Sequence, residues 1–98
     1  MSDVGIREEL LRRFVESGER ERVQELLKSK LNANGWQDEV RQMCKDIIKE
    51  KEPNPVTVDE LAGELTPRAR ASVPENVKAE MLEQIQAFLA KALPQLDQ

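Results

Sequence analysis

Apolar residues recur along the chain at the three- and four-residue spacing of helices that bury one face. Ile6, Leu10, Leu11, Phe14 and Val15 form the first stripe. Gly18 follows it as a residue suited to the left-handed conformation that closes a helix. Val23, Leu26, Leu27 and Leu31 form the second stripe, stopped by Asn34-Gly35. Trp36, Val40, Met43, Cys44, Ile47 and Ile48 then fall at i, i+4, i+7, i+8, i+11 and i+12, the cleanest amphipathic pattern in the chain. Two prolines in Glu52-Pro53-Asn54-Pro55 cannot continue that helix. Thr57-Val-Asp-Glu60 opens the next one as a capping box, with a hydroxyl placed to take a free amide of the first turn. Val58, Leu61, Ala62, Leu65, Ala69 and Val73 carry its apolar face, and Pro67 predicts a kink or a break after Thr66. Pro74 marks a further boundary. Val77, Met81, Leu82, Ile85, Phe88, Leu89 and Leu93 line the last helix, which Pro94 is expected to end, with the final residues fraying. The pattern predicts an all-α chain forming one domain over residues 1–98, with helices at about 5–17, 20–33, 36–51, 57–73 and 75–93. No convincing strand is visible.

Five such helices create a packing problem. Isolated helices of a few turns are marginal in water, so packing has to hold them. Period alone favours stripes that close on one another in a self-sufficient bundle, because apolar stripes are usually core. The alternative is that part of the apolar surface stays open as a groove for a partner's amphipathic helix.

Composition narrows the function more than the fold. With 39% apolar and 35% charged residues, the chain is too apolar for a disordered segment and too charged for a membrane span. No stretch approaches the roughly 20 apolar residues of a transmembrane helix. The start, Met1-Ser-Asp-Val-Gly-Ile, carries no basic segment followed by an apolar one, so no secretory leader is expected. A net charge of −4 disfavours direct binding to nucleic-acid phosphates. Catalytic chemistry finds little to use. The absence of histidine removes the commonest general base and metal ligand. Cys44 is the only cysteine, so it forms neither a zinc site nor a Cys-His pair, and on an apolar face it reads as a small hydrophobe. No glycine-rich phosphate loop is present. The carboxylates of Glu8-Glu9, Glu19/Glu21 and Asp38-Glu39 sit among basic residues on polar helix faces. The expectation is a protein that is not an enzyme, with no cofactor and no bound metal. An acyl-carrier role needs an Asp-Ser pair opening a helix, and none of Ser2, Ser17, Ser29 and Ser72 follows an aspartate.

The segment Glu16-Ser-Gly-Glu-Arg-Glu-Arg-Val-Gln-Glu-Leu-Leu-Lys-Ser-Lys-Leu31, followed by Gly35-Trp36, resembles the enhancer-of-yellow-2 family of transcription and mRNA-export factors. Trp36-Gln-Asp-Glu-Val-Arg, Cys44-Lys-Asp-Ile-Ile-Lys-Glu-Lys51, Val56-Thr-Val-Asp-Glu-Leu61, Leu65-Thr-Pro-Arg-Ala-Arg70, Val73-Pro-Glu and Leu82-Glu-Gln-Ile-Gln-Ala-Phe-Leu89 extend the likeness in the family's order. It covers roughly residues 15 to 90 and is carried by the ordered set rather than by any one block. Asn34 before Gly35-Trp36 and the proline-rich joint Glu52–Pro55 depart from the family's pattern.

The resemblance implies five helices in an open, articulated helical-hairpin arrangement that wraps a partner helix, and so reverses the preference for a closed bundle. It also implies a nuclear location, in the nucleoplasm and at the nuclear pore. Two sets of partners are implied. One is the long amphipathic helix of an adaptor subunit in the histone H2B deubiquitinase module of the SAGA coactivator, with the module's catalytic subunit nearby. The other is a helical segment of the mRNA-export scaffold protein. On this reading the apolar faces supply the groove, and Leu27, Leu31, Trp36, Val40, Met43, Cys44, Ile47, Leu61, Leu65, Ile85 and Leu89 are expected to touch the partner helix. The alternative in a different class is a self-contained homodimeric bundle acting as a general interaction module.

Overall fold

The computed structural model describes residues 3–96, with side chains from Gly5 onward. Met1-Ser2, part of the start at which no leader was expected, and Asp97-Gln98, among the final residues expected to fray, lie outside the described residues. Among the described residues there are five α-helices and no strand: α1 (Asp3–Glu16), α2 (Glu19–Ala33), α3 (Trp36–Lys51), α4 (Val58–Ala71) and α5 (Glu75–Leu96). The joints follow local chemistry. Gly18 and Gly35 adopt φ of +84° and +71°, a conformation that a side chain would strain, and each sits between two helices. Thr57 caps α4: its backbone is extended and its Oγ1 accepts the Glu60 N–H at 3.1 Å. At the other end, the Ser72 N–H donates to the carbonyls of Arg68 and Ala69.

Two helices run through prolines, and at Pro94 this departs from the expected helix end. α4 does not break at Pro67, and α5 runs through Pro94 to Leu96. A proline inside a helix removes the N–H that would serve the carbonyl four residues back. Those carbonyls belong to Gly63 and Ala90, both exposed, so water can satisfy them. Pro94 also falls in a last turn, where the ladder is already ending.

The chain gathers into two compact units. The first comprises the chain up to Ser29 and from Asn76 onward, which is α1, most of α2 and nearly all of α5. Val23, Val77, Met81 and Ala92 are its buried side chains, and the rings of Phe14 and Phe88 meet edge to face at 5.1 Å. Polar ties cross it from Arg13 to Gln95 and from Arg22 to Gln84. The second unit, Lys30–Glu75, is built on the packing of α3 against α4. Ile47 of α3 is fully buried in the chain, and Lys51 and Glu50 at the end of α3 pair with Glu64 and Arg68 of α4 at 2.8 and 3.4 Å.

Candidate functional site

The candidate site is a set of apolar faces, and burial sorts the side chains on them. In the second unit, Leu31 and Ile47 are buried, while Trp36, Val40, Met43, Cys44, Leu61 and Leu65 are half-buried. A half-buried indole N–H needs a hydrogen-bond acceptor, and Trp36 has two. The indole Nε1 donates to Ser72 Oγ at 2.9 Å and to the Ala69 carbonyl at 3.3 Å. This fastens the first turn of α3 to the C-terminal end of α4. Ile48, next to the buried Ile47, is exposed, as is Val58 at the start of α4 with 82% of its surface open.

In the first unit, the expected residues are Leu27, half-buried, and Ile85 and Leu89, which line one concavity together with Leu10, Leu11, Phe14, Phe88 and Arg7. Apart from the Arg7 guanidinium its walls are apolar. Of these, Leu11 stands 58% exposed, and Val15 of α1 and Leu82 and Leu93 of α5 are also exposed. The first helix was not among the expected site residues. Its stripe of Leu10, Leu11, Phe14 and Val15 was visible in the sequence, but nothing in a stripe says whether another helix covers it.

Electrostatics elsewhere are those of a solvated helical surface. Hydrogen bonds from Arg12 and Arg13 hold the Glu9 carboxyl at about 2, below its ordinary 4.5. Arg22 lowers the Glu19 carboxyl in the same way, and Glu64 raises the Lys51 ammonium. Exposed pairs of this kind add little stability each. Among the described residues no group of three or more His, Cys, Asp or Glu side chains is placed to hold a metal, and no helix is long and apolar enough to cross a membrane.

Comparison with known proteins agrees with the order of blocks in the sequence. Residues 7–89 match the family model described as transcription factor e(y)2. Similar proteins include an enhancer of yellow 2 transcription factor of Drosophila virilis, 46% identical over 77 residues, which are 76% of this chain and 81% of that one. The protein of the same description from Drosophila melanogaster is 45% identical over 76 residues, 76% of this chain and 75% of its own. That of Aedes aegypti is 40% identical over 74 residues, 76% of this chain and 78% of its own.

Proposed function

The chain belongs to the transcription factor e(y)2 family, and from that premise we propose that it works without catalysis, as an adaptor that grips a helix of its partner proteins. The observation that carries the grip is the outward apolar surface. Leu11, Val15, Leu82, Ile85 and Leu93 of α1 and α5 are exposed, and among the described residues few side chains are fully buried. Large apolar side chains left exposed at an apolar hollow, as Leu11 and Ile85 are, mark an interaction face, and helical spacing on that face suits an amphipathic helix.

The partners we propose are those that the family resemblance implies. In the nucleus the chain would hold the long helix of an adaptor subunit in the SAGA histone H2B deubiquitinase module. At the nuclear pore it would hold a helical segment of the mRNA-export scaffold, coupling activation of transcription to export. The absence of histidine and the half-buried, isolated Cys44 support a role without chemistry of its own. Removal of ubiquitin would then belong to the separate catalytic subunit.

Purification of the tagged chain from nuclei, followed by mass spectrometry, tests this proposal. The expected result is recovery of the deubiquitinase-module adaptor, the export scaffold, or both. Recovery of neither, with the chain found only as a dimer of itself by solution mass, would overturn it in favour of a self-contained module.

A further inference from the structure

We propose that the concavity between α1 and α5 takes a partner helix whose apolar anchors are followed or preceded, one turn away, by a carboxylate that pairs with Arg7. It rests on the adaptor reading above and adds the partner's chemistry. The concavity measures about 320 Å³ and is walled by Leu10, Leu11, Phe14, Ile85 and Leu89, with Arg7 the one charged side chain lining it. A hollow of that size takes one or two large apolar side chains, as an amphipathic helix presents at i and i+3 or i+4.

Arg7 stands one turn ahead of Leu10 and Leu11 on α1 and is exposed. The other arginines of α1 are already engaged. Arg12 pairs with Glu9 and Glu16, and Arg13 pairs with Glu9 and donates to Gln95. Among the described residues the Arg7 guanidinium has no ion pair or hydrogen bond. Bringing an apolar helix over the hollow removes water from beside this cation. A carboxylate on the incoming helix offsets that loss, whereas a lysine there places two cations together in a less polar setting. The chain's net charge of −4 opposes acidic partners at long range, so a preference for one would report the local pair.

Three synthetic helical peptides of about 15 residues test the pairing, long enough to populate a helix. They share leucine and phenylalanine anchors at i, i+3, i+4 and i+7 and differ only in flanking residues: Glu, Gln or Lys. Fluorescence anisotropy with the full chain is expected to rank them Glu, Gln, Lys, with the first about three- to tenfold tighter than the last. Arg7→Glu should reverse that order with the circular dichroism unchanged, Arg7→Lys should keep it, and Leu11→Asp should weaken all three. Equal affinities, or an order indifferent to Arg7→Glu, would overturn the proposal. Failure of all three peptides to bind would overturn the concavity as a docking site, while purification from nuclei still reads the adaptor role independently. Peptides that compete with self-association of the chain would assign the hollow to a second copy and equally overturn the proposal.

Discussion

Trp36 shares its indole N–H between the Ser72 hydroxyl and the Ala69 carbonyl, so its contribution divides into ring and hydrogen bond. Trp36→Phe keeps most of the ring and deletes the donor, with an expected loss of about 0.5–1.5 kcal/mol in denaturant unfolding. Trp36→Ala also removes the half-buried indole, and the loss should approach about 3 kcal/mol, the lower end for a large aromatic. Ile47 and Ile48 make a sharper contrast. Ile47 is fully buried and Ile48 is 42% exposed. Ile47→Ala should cost about 2–5 kcal/mol, and Ile48→Ala should fall within about 0.5 kcal/mol of the parent. Glu9 gives a pH signature. Its carboxyl is held at about 2 against an ordinary 4.5, so its pairs with Arg12 and Arg13 favour the folded chain above pH 4.5 and lose that effect as pH falls towards about 2. A carboxyl NMR titration of the folded chain should place Glu9 well below the ordinary glutamate value of 4.5, and Arg12→Ala should raise it.

At the scale of elements, what could be read in advance was what neighbouring residues decide among themselves. Gly18, Gly35 and Thr57 mark helix ends because a left-handed backbone or a hydroxyl cap is settled within a few residues. Thr57→Ala should therefore cost about 1 kcal/mol, measured by thermal or urea unfolding. Pro94 was expected to end its helix and does not, because the cost of an internal proline depends on whether the deprived carbonyl reaches water, which the sequence does not state. The five helices and the family could be read from stripe and block order, whereas depth within a stripe could not. Ile47 and Ile48 are neighbours in one apolar stripe, yet one is fully buried and the other exposed. The acceptors of Trp36 lie 33 and 36 residues away in sequence, beyond any local rule. The role of α1 in the hollow was missed for the same reason, since Leu10, Leu11 and Phe14 look identical whether or not α5 covers them.

At the scale of the whole molecule, the described residues that are buried and apolar are few: Val23, Leu31, Ile47, Val77, Met81 and Ala92. A core this small leaves little margin over conformational entropy. The free chain should show a broad, low-enthalpy calorimetric transition. A partner helix that binds only the folded state should raise and sharpen it. One sharp transition, equally stable with and without the helix, would count against this expectation. The indole fastened across α3 and α4 has an optical consequence. The chain has one tryptophan and no tyrosine, so emission excited near the red edge of aromatic absorption originates from Trp36 alone. Fluorescence thus reports the Lys30–Glu75 unit by itself, while the far-ultraviolet dichroism of the helices reports both units together. Coincident melting curves from the two signals would mean that the units unfold as one. A separation between them would give the stability of each half from a single unlabelled sample.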